Sequence, residues 1–215
     1  MKINPYEILF YISEITGEKN IIIEREGLKI NEALDRLSRR VSKCRRCPLH
    51  KTRTNVVFGD GNPFTGFLLV GEAPGAEEDK KGLPFVGKAG KKLNEIMARA
   101  GIRKEGVYII NTLKCRPPKN RDPEENELKM CYPYLEKQIE IIKPKVIVAL
   151  GRFASYILTG KKISITRERG LIYEFKKIPV IVTFHPSRVL QNPQEEELLL
   201  NDLILAKKIY INGHP

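Results

Sequence analysis

The chain has 215 residues, with 38 Lys and Arg against 26 Asp and Glu, a net charge of +12 and an isoelectric point near 9.5. No apolar run approaches the roughly 20 residues of a membrane helix, and the N-terminus carries Glu7 and Glu14 rather than a basic segment and apolar core, so neither a membrane span nor a secretory leader is expected. Residues 1–43 hold 8 basic and 7 acidic side chains and residues 44–215 hold 30 and 19, so the excess positive charge (+11 of +12) belongs to the main domain. Nucleic acid is the polyanion such a surface suits best. A lysine- and glutamate-rich surface selected for heat stability accounts for many of the charges but not for their sign.

In chain order, residues 1–43 read as an accessory segment. Helical patterns cover Pro5 to Ile15 and Lys29 to Val41, with Ile21-Ile22-Ile23 between them expected as a short strand. From residue 44 onward, in the main domain (44–215), four β-rich apolar runs stand out: Gly66–Val70, Val107–Asn111, Val146–Leu150 and Val180–Phe184. Helical patterns follow: Leu93, Ile96, Met97 and Ala100; then Leu128, Cys131, Leu135, Ile139 and Ile142; a short one after Gly151; and a last from about Gln194 to Tyr210. Unalternated apolar strands separated by helices predict an α/β fold with a parallel sheet covered on both faces. Polar motifs sit at the ends of all four runs: Glu72-Ala73-Pro74-Gly75, Asn111 through Pro118, Gly151-Arg152 and His185-Pro186-Ser187. Ligands bind beyond the carboxyl ends of the strands in an open parallel sheet, so four loops are expected to converge on one cleft.

Cys44 and Cys47 form a C-x2-C pair, followed after 67 residues by Cys115 and after 15 more by Cys131. Such a pair with two distant partners suits a four-thiolate site, for zinc or for an iron–sulfur cluster. The single close pair tilts the reading toward a cluster. Cys131, on an apolar helix stripe, also fits an ordinary core cysteine. Lys43, Arg45, Arg46, Lys114 and Arg116 flank the ligands, either to offset thiolate charge or to face phosphate.

Five stretches carry a resemblance: CRRCPLHKTR at 44–53, GDGNP at 59–63, LLVGEAPGAEEDKKGLPFVGKAGKKL at 68–93, NTLKCRPPKNRDP at 111–123 and FHPSRVL at 184–190. Together they resemble the family 4 uracil-DNA glycosylases, the thermostable iron–sulfur branch of that superfamily. The resemblance spans nearly all of residues 44–210 and leaves out the first 43. It implies a three-layer α/β/α fold around a four-stranded parallel sheet, excision of uracil from DNA to leave an abasic site, and a [4Fe-4S] cluster on Cys44, Cys47, Cys115 and Cys131. Zinc is the alternative occupant.

The resemblance also implies roles. Phe85 is expected to stack on the flipped uracil and Asn111 to read its edge, its amide pairing with O4 and N3–H. His185 is expected to donate to O2 as negative charge develops there. Glu72 is expected to orient water or stabilise the cationic sugar. Gly71, Ala73 and Glu78 complete the substrate pocket, Glu78 being preferred to Asp79 as a second carboxylate. Some branches place a water-activating aspartate where this chain has Ala73, and the best-known branch excludes thymine with a tyrosine where this chain has Gly75. Lys88, Lys91, Arg116 and Ser187 are expected on the DNA, with Lys119 and Arg121 behind them, and Arg188 or Leu190 is expected to fill the gap left by an extruded nucleotide. Taken alone, Phe85 suits a core position, Asn111 a turn and the run Glu77-Glu78-Asp79 a helix start.

Uracil-containing DNA is the expected partner, with a sliding clamp or other repair proteins beyond it. The chain is expected to act as a monomer in the cytoplasm of a thermophilic prokaryote. A non-catalytic iron–sulfur or zinc nucleic-acid-binding module is the competing reading, but it has no use for Asn111, Phe85 and His185 together. A Rossmann-type nucleotide enzyme lacks its G-x-G-x-x-G here.

Overall fold

The computed structural model describes residues 19–213, with side chains from residue 27. The predicted helix at Pro5 to Ile15 lies outside them. Ile21-Ile22-Ile23, expected as a strand, is instead part of a 24-residue helix, α1 (Lys19–Ser42). A three-residue β-branched run has no periodicity of its own, and the helix propagating from residues 29–41 extends through it.

The four apolar runs become the parallel strands β2 (Phe67–Gly71), β3 (Tyr108–Asn111), β4 (Val146–Leu150) and β6 (Ile178–Thr183). Two antiparallel edge strands, β1 (Asp60–Gly61) and β5 (Ile172–Phe175), make the sheet six-stranded and mixed, in the order β1-β3-β2-β4-β6-β5. β5 joins β6 through Lys176-Lys177, both at positive φ (50° and 68°), with Phe175 opposite Ile178. That is a two-residue turn of the kind usually marked by Asn-Gly, here built from lysines, so nothing in its composition announces a hairpin.

The helices are α2 (Ala76–Lys81), α3 (Lys88–Arg99), α4 (Glu125–Ile142), α5 (Arg152–Thr159), α6 (Ile165–Glu168), α7 (Pro186–Gln191) and α8 (Glu196–Asn212). Alternate strand residues enter opposite cores. Leu69, Ile109, Val148 and Ile181 pack under α3 and α8, while Leu68, Val70, Ile110, Ile147 and Val182 pack against α4 and α5. The expected three layers follow, with 0–5% exposure at these strand positions. A third core forms off the carboxyl end of the sheet, where Leu37 and Val41 of α1 meet Leu49, Leu113, Leu128 and the cysteines. Leu34, Leu37 and Val41 are buried, so this part of α1 is a packed element of the fold.

β2 pairs with β3 on one side and β4 on the other. The chain therefore reverses its winding direction at β2, which opens a crevice beyond the strand ends.

Candidate active site

A cleft of about 350 Å³ occupies that crevice. Glu72, Ala73, Glu78, Phe85, Lys88, Asn111, His185 and Ser187, all expected at the site, line it. Gly71 is buried, aligned with Asn111 across the β2–β3 pair. A methyl group there would come within 2.3 Å of Asn111 Oδ1 and 2.7 Å of Phe85 Cζ. Gly71 thus brings the amide and the aromatic ring together at the strand ends, and only hydrogen fits between them.

Phe85 holds φ at 51°, a region a bulky residue rarely occupies. Two features hold it there. Glu78 Oε1 accepts from the backbone N–H groups of Val86 (3.0 Å) and Gly87 (2.7 Å), while its Oε2 accepts from Gly75 (3.2 Å). Gly90 gives the Phe85 carbonyl room, since a Cβ would sit 1.8 Å from that oxygen. Glu78, read as a second pocket carboxylate, therefore clamps the Gly75 loop to the Phe85 loop. Asp79, its sequence neighbour, is buried and accepts from Thr54 N–H (2.9 and 3.0 Å) instead.

The His185 ring lies against Phe85, with centroids 5.7 Å apart and planes at 35°. Its Nδ1 accepts from the backbone N–H of Ser187 (3.2 Å), capping α7, and lies 2.7 Å from Ser187 Oγ. A backbone N–H can only donate, so Nδ1 is unprotonated and the ring proton sits on Nε2. Desolvation pushes the imidazole down to about 4, against a smaller pull upward from Glu78. His185 is thus a neutral Nε2–H donor at physiological pH. Gly151, at φ 88°, passes so close that a Cβ would meet the His185 Cβ at 2.9 Å.

Burial raises the Glu72 carboxyl to about 7, helped by Asp122 and opposed by Arg152. It lines the cleft, and its backbone carbonyl accepts from Leu113 N–H (3.0 Å) and from the Thr112 hydroxyl.

The expected DNA contacts separate. Lys88 and Lys91 project from the first turn of α3 and are exposed. Arg116 is half-buried, its Nε donating to Asn120 Oδ1 (2.7 Å) within a turn where Lys119 and Asn120 both have positive φ. Arg121 forks onto both oxygens of buried Glu127 (2.9 and 2.6 Å). Arg188 forks onto Glu195 (2.6 Å each) and stacks over Phe184. That double tie holds Arg188 against its own chain, while Leu190, 41% exposed, is the exposed large apolar side chain of α7.

Cys44, Cys47, Cys115 and Cys131 surround one pocket with Arg53, Lys114 and His50. Among the described residues no three His, Cys, Asp or Glu side chains converge on a single-ion site. Burial pushes the Cys131 thiol up to about 12, with Lys114 pulling it down. Arg53 Nη1 donates to Cys115 Sγ (3.1 Å) and Nη2 to the Ser42 carbonyl (3.0 Å), tying the end of α1 to this pocket. Nothing in the sequence marks Arg53 for this role, and Lys114, one of the flanking cations, points inward.

Residues 58–205 match the uracil DNA glycosylase superfamily model. The chain belongs to the uracil-DNA glycosylase superfamily. It is 52% identical over 182 residues to the type-4 uracil-DNA glycosylase of Thermotoga maritima, covering 82% of this chain and 94% of that one. It is 49% identical over 174 residues to the type-4 enzyme of Archaeoglobus fulgidus, covering 77% and 87%. A type-5 enzyme of Thermus thermophilus is more distant, at 32% over 180 residues, covering 71% and 80%. The matched range contains every residue that lines the cleft. No helix among the described residues is long and apolar enough to cross a membrane.

Proposed function

We propose that this chain, an enzyme that excises uracil from DNA, does so with Asn111, Phe85, His185 and Glu72 acting on a uracil rotated out of the duplex. The observation that carries the reading is the His185 ring, its Nδ1 taken by the Ser187 N–H, held against Phe85 in the cleft that Asn111 also lines.

Phe85 offers a stacking face, worth about 1–3 kcal/mol for a base. The Asn111 amide supplies one donor and one acceptor for O4 and N3–H of uracil. Cytosine presents a donor at position 4 and no N3–H, so both amide groups lose their partners, which is costly in a site where Asn111 is 2% exposed. The C1′–N1 bond breaks with its electron pair leaving on uracil, whose negative charge spreads to O2. The Nε2–H of His185 donates there. A neutral donor suffices, because it is aimed in advance at the atom that becomes charged. The Glu72 carboxylate stabilises the positive sugar and holds the water that adds to C1′, taking up its proton as the abasic sugar forms. Solvent protonates the uracil anion. Lys88 and Lys91 meet phosphate, and Leu190 enters the gap in the stack.

Burial keeps Glu72 neutral below about pH 7 and ionised above it. Single-turnover excision is therefore expected to rise with pH between about 6 and 8. Glu72→Gln should flatten that limb, and His185 adds none of its own there, since it stays neutral down to about 4. The same displacement acts on stability with the opposite sense: the contribution from protonated Glu72 is full below 4.5 and fades as pH rises through about 7. A pH-independent wild-type rate from 6 to 8 would remove Glu72 from this role.

The four cysteines would hold a [4Fe-4S] cluster. They line one pocket, and their single close C-x2-C pair with two distant partners suits a cluster better than zinc. The cluster, when bound, supplies a structural crosslink and no chemistry to the hydrolysis. The residues that would hold it come from the loop after α1 (Cys44, Cys47), the segment beyond β3 (Cys115) and α4 (Cys131). Anaerobically purified protein should be brown and contain about four iron atoms. Cys131→Ala should lose the iron and lower thermal stability together. Stoichiometric zinc without iron would overturn the cluster.

The activity itself is tested on paired duplexes carrying one uracil or one thymine at the same position. Free uracil and an alkali-labile site are expected from the first and nothing from the second. Equal release of thymine, or no release from either, contradicts the reading.

A further inference from the structure

One buried cation joins the cysteine pocket to the strand end that carries Asn111. Lys114 is 1% exposed, and its Nζ turns back to donate to the Asn111 carbonyl at 2.7 Å. Its backbone N–H donates to the Cys131 sulfur, and its side chain lines the cysteine pocket. The five residues from Asn111 to Cys115 thus carry the base-reading amide at one end and a cysteine of the pocket at the other. Thr112 and Leu113 splice this stretch onto the end of β2 through hydrogen bonds to the Gly71 and Glu72 carbonyls (2.9 and 3.0 Å).

We propose that Lys114 is a positioning residue that couples occupancy of the four-cysteine site to base reading by Asn111. The inference rests on the uracil-excision reading above and assigns a determinant of its specificity.

A buried ammonium with a single carbonyl partner needs counter-charge nearby. Four thiolates around a [4Fe-4S]2+ core leave a net charge of −2, and Lys114, with Arg53, whose Nη1 lies 3.1 Å from Cys115 Sγ, and Arg46 on the pocket wall, supplies the offsetting positive charge. The occupied site therefore holds the ammonium in place, and the ammonium holds the Asn111 carbonyl. With the carbonyl fixed, the end of β3 is fixed, and with it the amide that Gly71 leaves 2.3 Å from its own hypothetical methyl. A displacement of the amide by an ångström is enough to degrade reading of the base. A lysine present only to fill space would affect neither discrimination nor cluster lifetime in this paired way.

The test uses the holoprotein and K114M, with K114R as the variant that keeps the charge. K114Q, which keeps a polar head in the pocket, takes the place of K114M should K114M not fold. Cluster lifetime is read from loss of the visible iron–sulfur absorbance under chelator challenge. Base reading is measured as the ratio of affinities for uracil-containing and undamaged duplex, together with the single-turnover rate per intact cluster.

K114M is expected to lose its cluster about tenfold faster. Its preference for uracil duplex should fall about tenfold at unchanged affinity for undamaged duplex, and its rate per cluster about 10–100-fold. K114R should recover most of the lifetime. A K114M protein with wild-type lifetime and wild-type preference overturns the proposal. So does one that sheds its cluster faster yet excises at the wild-type rate per remaining cluster, because the coupling is then missing. A wild-type holoprotein that releases no uracil sinks the underlying reading instead, whereas normal wild-type excision with an unchanged K114M sinks the role of Lys114 alone.

Discussion

Replacing His185 with alanine is expected to slow single-turnover uracil excision by about 10²–10³-fold, the usual loss for one preorganised donor to a developing oxyanion. The imidazole sits beside Phe85, with its Nδ1 side occupied by the Ser187 N–H, so its one remaining proton has a fixed direction. In the bound ground state O2 is a neutral carbonyl and gains little from that proton. In the transition state it carries charge, and the same donor is worth far more. Affinity for uracil duplex should consequently fall much less than the rate, by about threefold or less on this argument. Equal losses in rate and affinity would instead place His185 in ground-state binding. Ser187→Ala leaves the capping backbone N–H in place and removes only the hydroxyl near Nδ1, so its rate should stay much closer to wild type.

Gly71→Ala is expected to cost about 10²-fold in rate through position alone. The added methyl would stand 2.3 Å from Asn111 Oδ1 and 2.7 and 2.8 Å from two Phe85 ring carbons. Amide and ring must both move, although neither is chemically altered. Overpacking of a buried strand end should also lower stability, by about 1–3 kcal/mol. Gly106→Ala is the matched control, since a methyl there meets nothing within 4 Å. Thermal melts and single-turnover rates on the two variants separate the effects. A Gly71→Ala protein with wild-type rate would show that the closeness of Asn111 and Phe85 is not needed.

The four central strands were legible because parallel strands buried on both faces read as unbroken apolar runs, as Val146–Leu150 does. The hairpin strand β5 was not, because Ile172 and Glu174 are exposed while Phe175 is buried, and a Lys-Lys pair makes its turn. Ile21–Ile23 shows the limit of β propensity, since helix α1 runs straight through it. At the site, Asn111, Phe85 and His185 could be singled out by their motifs, and the structure brings them into one cleft. What each charged side chain bonds to was not readable. Glu77, Glu78 and Asp79 look alike in sequence, yet Glu78 clamps the loop of Phe85 and Asp79 that of Thr54, because loop geometry decides which backbone N–H groups come within reach. Nothing in the sequence around Arg188 marks its pairing with Glu195, seven residues away. Lys114, next to a cysteine, gave no sign of which way its ammonium turns.

The protonation state of His185 is the property on which leaving-group stabilisation depends most directly. The chain has three histidines, His50, His185 and His214, so imidazole nitrogen resonances in a uniformly 15N-labelled holoprotein can be assigned by single substitutions. Titrated from pH 8 downward, His185 should show the Nε2–H tautomer throughout and begin to protonate only near pH 4, as burial dictates. An Nδ1–H tautomer, or an imidazolium already formed near the ordinary value of 6.5, would contradict the neutral-donor mechanism.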